Sequence, residues 1–209
     1  MPAAPLRFIT FEGGEGAGKS TQIRLLAETL RQAGKVVEIT REPGGTEGAE
    51  QIRSLLVEGG AGRWQVETEA LLHFAARAEH LARVIRPALD AGKWVLCDRF
   101  ADSTLAYQGY GQGLDLDWLW TLRRHIVGAT EPGLTIMMDL AVEKGLARAE
   151  TEQRYERMGI DFHRRLAEGF RQLAAADPAR CRLVDAARER GVIATEIVGL
   201  IGSRFGVSL

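Results

Sequence analysis

The sequence predicts a three-layer α/β fold, in which a five-stranded parallel sheet is covered by helices on both faces. Three observations lead there. Five short apolar runs of strand length recur along the 209 residues, and helical patterns lie between them. Glycine clusters at 13–18, 44–45, 59–62 and 109–113 break the chain, and three of the four follow a strand run or the helix after one. Each parallel return needs a crossover, crossovers are right-handed, and parallel strands buried on both sides read as continuous apolar runs.

The elements follow in order. Phe8-Ile9-Thr10-Phe11 is the first strand run, and the helix behind the first glycine cluster carries Ile23, Leu26, Ala27 and Leu30 at a spacing that makes one apolar stripe. Val36–Ile39 is the second run and leads into Arg41-Glu42-Pro43-Gly44-Gly45-Thr46. A long helical stretch spans about Glu67 to Asp90, and the third run, Trp94–Cys97, is followed by Asp98-Arg99. Thr135–Met138 is the fourth run and Arg182–Val184 the fifth. The stretch Val192–Phe205, with Ile193, Ile197, Leu200 and Ile201, reads as an amphipathic helix closing the sheet. No repeat, low-complexity segment or linker divides the chain, so residues 1–209 are expected to form a single domain.

Composition narrows the function classes. At 45% hydrophobic, 26% charged and a formal net charge of −1, the chain is an ordinary globular one with no sign of a nucleic-acid-binding surface. No run approaches the roughly 20 apolar residues that a membrane span needs, and Met1 to Arg7 lacks the pattern of a secretory leader. Cys97 and Cys181 each sit in an apolar run without a partner at metal-ligand spacing, which is the pattern of buried thiols in a reducing compartment. A cytoplasmic location is expected, with no membrane partner.

Gly13-Gly14-Glu15-Gly16-Ala17-Gly18-Lys19-Ser20 fits G-x-x-x-x-G-K-[ST] and lies between the first strand and a helix starting near Lys19, the context that this phosphate-binding loop requires. Its glycines let successive N–H groups turn toward a phosphate, and the helix N-terminus adds its positive end. Lys19 reaches the β/γ-phosphates and Ser20 can ligate Mg²⁺. The fold is therefore read as the P-loop NTPase type with ATP and Mg²⁺ as partners, and the ATP-binding residues are expected to be Gly13 through Thr21. Such a loop names a nucleotide, not a reaction.

The acceptor side carries the reaction. Ligands in open α/β sheets bind beyond the carboxyl ends of the strands. Arg41 and Arg99 each close a strand there, and Arg forks suit phosphate oxygens. His73, Phe74 and Arg77 lie on one helix at separations that let them share a surface. Taken with Glu12–Thr21, Arg41–Thr46, and Asp98-Arg99 followed by Ser103-Thr104 and Ala106–Gly109, the chain resembles the thymidylate kinases over about Phe8 to Asp185. That resemblance implies transfer of the γ-phosphoryl group of ATP to dTMP, giving dTDP for dTTP synthesis. It also implies a homodimer, whose interface the apolar helix faces near Leu71 and Leu81 could supply. By the same resemblance Arg41 and Arg99 hold the 5′-phosphate, Asp98 lies near Mg²⁺, and Glu15 accepts a hydrogen bond from the 3′-hydroxyl. Arg77, Ser103, Thr104 and Gln108 meet the acceptor, with Arg77 bonding an exocyclic oxygen of the base. Tyr107 crowds the sugar 2′ position, and either His73 or Phe74 stacks on thymine. Asp185–Arg188 resembles the loop that packs against adenine.

Phosphoryl transfer needs alignment and charge neutralisation more than covalent chemistry, so Lys19, Arg99 and further Arg residues are the expected catalytic set. The attacking oxygen belongs to an ionised phosphate, and no general base is assigned. Some thymidylate kinases carry an Arg at the position of Gly16. Those with Gly there resemble the bacterial type that supplies the charge from a lid, expected near 147–158 with Arg148, Arg154 and Arg157 as candidates and Arg154 fitting best. Two rival readings remain: a P-loop kinase for another nucleoside monophosphate or a deoxynucleoside, and a nucleotide-dependent switch with no small acceptor.

Overall fold

The computed structural model describes residues 5–60, 62–148, 155 and 157–209. Five strands, β1 (Phe8–Glu12), β2 (Val37–Arg41), β3 (Trp94–Asp98), β4 (Leu134–Asp139) and β5 (Cys181–Asp185), pair in parallel in the order β2-β3-β1-β4-β5. All five apolar runs of the sequence are therefore strands, each within one or two residues of its expected bounds. Every residue of β1 is buried, as expected for the central strand of a sheet covered on both faces. Register pairs Phe11 with Asp98 and with Ile136, which aligns the carboxyl ends of β1, β3 and β4 at one rim.

Alternation along the strands builds two cores. Ile9, Phe11, Ile136 and Met138 point to a layer made by α1 (Lys19–Gln32) and the C-terminal helix, where Ile23, Leu26, Leu30, Ile193, Ile197 and Ile201 are buried. Phe8 and Met137 face the opposite layer, with Phe74, Leu81, Phe100, Leu119 and Phe170. Between β2 and β3 run α2 (Glu47–Val57), which Thr46 caps by accepting from the Ala49 N–H at 3.1 Å, and α3 (Val66–His80).

The long helix expected over 67–90 is interrupted. After α3 a wide π-turn spans Leu81–Ile85, and α4 (Arg86–Asp90) follows. The Arg86 N–H reaches back five residues to the Leu81 carbonyl. Pro87, next in line, has no N–H to continue an α-helical ladder, so the widened turn ends where the donor is missing. A second π-helical stretch, Leu105–Gly111, follows α5 (Ala101–Thr104) and carries Tyr107 and Gln108. The remaining helices are α6 (Leu116–Val127), α7 (Val142–Arg148), α8 (Ile160–Ala176) and α9 (Arg190–Phe205). Among the described residues no helix is long and apolar enough to cross a membrane.

Candidate active site

β1 ends at Glu12, and the next six residues turn over the sheet rim into α1. Here the resting Lys19 ammonium donates to the carbonyls of Gly13 (3.0 Å) and Gly14 (2.8 Å). Burial and the nearby Arg99 cation push Lys19 down to about 8, against the pull of Asp98, Glu15 and Glu12. The loop also packs on α7: a Cβ at Gly16, whose φ is +64°, would stand 2.2 Å from the Gly145 carbonyl oxygen, and one at Gly145 would stand 2.5 Å from the Glu15 carbonyl oxygen. Two glycines thus let the phosphate loop and α7 touch backbone to backbone.

Ser20 Oγ donates to Asp98 Oδ2 at 2.6 Å, placing a hydroxyl and a carboxylate side by side at the mouth of the loop. That donor set fits Mg²⁺, which takes oxygen ligands, keeps several waters and is usually held by one or two protein oxygens with substrate phosphates. No group of three or more His, Cys, Asp or Glu able to hold a metal occurs among the described residues.

Arg99 follows β3 in a left-handed conformation (φ 66°), costly for a residue with a side chain. Its N–H donates to the Phe11 carbonyl at 2.9 Å, and the next N–H, of Phe100, donates to Glu12 Oε1 at 2.8 Å. Ser103 Oγ closes the other Glu12 oxygen at 2.5 Å. The turn is thereby pinned to the end of β1. Burial, with the charge of Asp102, lifts the Glu12 carboxyl to about 8 despite these donors. From this turn the Arg99 guanidinium donates to the Gly13 carbonyl (3.0 Å) and to Glu15 Oε1 (2.8 Å), lying 5.0 Å over the Tyr107 ring. Burial alone would raise Glu15, but Arg99, Lys19 and the Tyr107 hydroxyl, which donates at 2.5 Å, hold it down at about 2.

Glu15, Arg99, Ser103, Thr104, Tyr107, Gln108, Arg77 and His73 all line one cavity beside the phosphate loop. Eight residues separated by up to 93 positions in sequence are thus brought together as expected. Phe74 stands apart, 2% exposed in the core with the Arg77 guanidinium 5.0 Å from its ring; of the two stacking candidates, only His73 reaches the cavity wall. Arg41 does not line the cavity either. Its guanidinium turns to Glu50 at 2.9 Å and is half exposed, and the arginine that joins Arg77 and Arg99 in the wall is Arg53 from α2, which donates to the Pro43 carbonyl at 2.9 Å. Arg148 and Arg157 are exposed, and Arg154 lies outside the described residues.

Two carboxylates set the wall's polar groups, Glu42 in the lining and Glu69 behind it. Glu42 accepts from Arg77 Nε at 2.8 Å. Glu69, fully buried, accepts through Oε1 from Gln108 Nε2 (2.7 Å), Gln112 Nε2 (2.6 Å) and the Tyr155 hydroxyl (2.8 Å). An acidic residue in the first turn of a helix ordinarily reads as a solvent-facing dipole partner, so Glu69 gives nothing away by position. Arg77 donates from Nη2 to Thr104 Oγ1 at 3.1 Å, whereas its Nη1 and the Gln108 Oε1 are buried with no hydrogen-bond partner among the described residues. The Gln108 amide orientation is fixed because the Glu69 carboxylate only accepts.

A phosphate loop on a β2-β3-β1-β4-β5 parallel sheet, with a cavity across the rim that offers arginines and an unsatisfied donor and acceptor, defines a nucleoside monophosphate kinase of the P-loop class. The comparisons make the class particular. The family model for thymidylate kinase matches residues 11–197. The chain is 51% identical over 203 residues to the thymidylate kinase of Caulobacter vibrioides, covering 96% of this chain and 98% of that one. It is 54% identical over 198 residues to that of Rhodopseudomonas palustris, covering 91% and 86%. The crystal structure of thymidylate kinase from Ehrlichia chaffeensis superposes with a TM-score of 0.78 at 34% identity, covering 93% of this chain and 97% of that one. The chain belongs to the thymidylate kinase family, an ATP-dependent family whose function is phosphorylation of dTMP.

Proposed function

We propose that this cavity binds dTMP by the edge of its base and presents the 5′-phosphate to ATP held over Gly13–Thr21. The unsatisfied pair in the wall carries the reading. Arg77 Nη1 can only donate and Gln108 Oε1 can only accept, and both are buried. Thymine offers a carbonyl oxygen at C4 beside an N3–H, an acceptor next to a donor, which satisfies both. Cytosine offers an amine and a bare nitrogen, which satisfies neither, and a buried polar group left unmet costs about 1–3 kcal/mol.

The remaining roles follow from chemistry. Arg99, aided by Arg53, is suited to the acceptor phosphate, and Glu15 to the 3′-hydroxyl. Lys19 would exchange its loop carbonyls for phosphate oxygens of ATP, and Ser20 with Asp98 would hold Mg²⁺, which supplies charge neutralisation between the phosphates. The 147–158 segment is proposed as the lid, with Arg154 the preferred source of further positive charge. A homodimer and a cytoplasmic location complete the reading; the exposed Leu71 is available to such an interface.

The test is an ATP-consumption assay with Mg²⁺ across nucleoside monophosphates and thymidine. Preferential turnover of dTMP is expected. Lys19→Ala should lower kcat by at least about 10²-fold, the scale of losing one preorganised charge. Arg77→Ala should raise KM for dTMP. Because a methyl yields only about 1–3 kcal/mol, dUMP should be turned over with kcat/KM roughly 10–200-fold lower. Absence of stimulation by any monophosphate would overturn the kinase reading.

A further inference from the structure

Behind Arg77 runs a buried chain of hydrogen bonds that ends on an edge strand. Arg77 Nε donates to Glu42 Oε2 at 2.8 Å, His80 Nδ1 donates to Glu42 Oε1 at 3.0 Å, and His80 Nε2 lies 2.6 Å from Thr40 Oγ1 on β2. His80 is fully buried, Arg77 is 2% exposed and Glu42 5% exposed. The guanidinium carbon also lies 5.0 Å from the Phe74 ring centroid and 5.2 Å from that of Phe100, and such apolar rings offer it no directional bond. In-plane orientation falls to the hydrogen bonds at Nε and Nη2. Thr104 supplies one; Glu42 supplies the charged one.

Glu42 lies in the loop after β2, and an isolated carboxylate there could rotate between Arg77 and the neighbouring Arg53 side of the cavity. His80 removes that freedom, since it occupies the second carboxylate oxygen and is itself anchored to Thr40. The fit around the ring is close: a Cβ on Gly45 would come within 2.7 Å of His80 Cδ2 and Nε2. A group that touches no ligand is thus held from three directions, and its one free consequence is where Arg77 Nη1 points.

We propose that His80 is a positioning residue that sets base specificity: by clamping Glu42, it fixes the in-plane orientation of Arg77 and with it the cavity's preference for a base bearing a carbonyl oxygen over one bearing an amine. This rests on the reading of the cavity as a dTMP site. It follows the general rule that a specificity group must be locked by the residues behind it.

The amide variants separate the two nitrogens of the ring. In His80→Asn the side-chain nitrogen falls near the Nδ1 position and keeps the bond to Glu42. In His80→Gln it falls near Nε2 and keeps Thr40 but releases Glu42. Steady-state kinetics with ATP, Mg²⁺ and either dTMP or dCMP should show His80→Gln and His80→Phe raising KM for dTMP about tenfold, the weight of one hydrogen bond to a charged group. Their kcat and KM for ATP should hold, and the dTMP-to-dCMP preference should narrow by a similar factor, while His80→Asn retains most of that preference. Thr40→Val, a near-isosteric change, gives a smaller shift in the same direction and serves if His80→Phe fails to fold. An unchanged dTMP-to-dCMP ratio in Gln and Val variants, or equal losses in Asn and Gln, overturns the proposal. A wild-type enzyme that does not use dTMP overturns the functional reading itself and is seen before any variant is made.

Discussion

Glu12 shows how far one residue's protonation can reach. Its carboxyl, raised to about 8, is charged in the unfolded chain above pH 4.5 but stays protonated in the folded one. The unfolded state therefore binds fewer protons between pH 4.5 and 8, and stability falls as pH rises through that window and levels off above it. Glu12→Gln, neutral at every pH, should flatten this component, seen as a smaller change in urea midpoint between pH 5 and 8 than the wild type shows. Glu15 acts in the opposite sense: held down at about 2, it contributes stability that is present above pH 4.5 and lost as pH falls toward 2. At this scale the sequence was legible where a motif names the residue, as for Lys19, Ser20, Arg99 and Glu15. It was silent for Glu69 and His80, whose partners lie 38–86 positions away and whose places on a helix suggest a solvated face.

Elements were legible for a different reason. Parallel strands buried on both faces must be apolar throughout, so the five runs stand out, and the phosphate loop fixes the start of α1 at Lys19. Strand order was not legible, because apolar period says which face a residue takes and nothing about its neighbour. Nor were the two π-helical stretches, whose one-residue widening leaves the apolar pattern nearly intact. The contact between the phosphate loop and α7 belongs to this scale as well. Gly145→Ala would push a methyl against the Glu15 carbonyl, an overpacking that costs about 1–3 kcal/mol. We expect a melting temperature lower by several degrees by calorimetry, and a raised KM for both ATP and dTMP, since the displaced backbone is that of Glu15, which belongs to the ATP loop and lines the acceptor cavity.

Across the whole molecule, a buried ionic cluster joins the layer of α5, α6 and α8 to the sheet. Asp102, fully buried, accepts from Arg123 Nη1 at 2.7 Å and Arg180 Nη1 at 2.6 Å; Arg180 also donates to Thr135 (2.8 Å), which pairs with Thr10 (2.8 Å). The same segment presents Ser103 and Thr104 to the cavity. Asp102→Ala leaves Arg123 only its Glu131 carboxylate and Arg180 only Asp177, and breaking the buried network should cost up to about 3–5 kcal/mol, measurable by equilibrium urea unfolding. Sequence reading passed over Asp102, Arg123 and Arg180 because three charges 21–78 positions apart carry no local pattern.

The two glycines that let the loop meet α7 also bear on ancestry. A lineage moving its assisting arginine into the phosphate loop would have to begin at position 16, where any side chain meets the carbonyl of residue 145. In this chain the step is deleterious until α7 has withdrawn, so a single substitution at the loop does not install an arginine there. A library that randomises position 16 alone should return glycine; one that also rebuilds 142–148 opens the path.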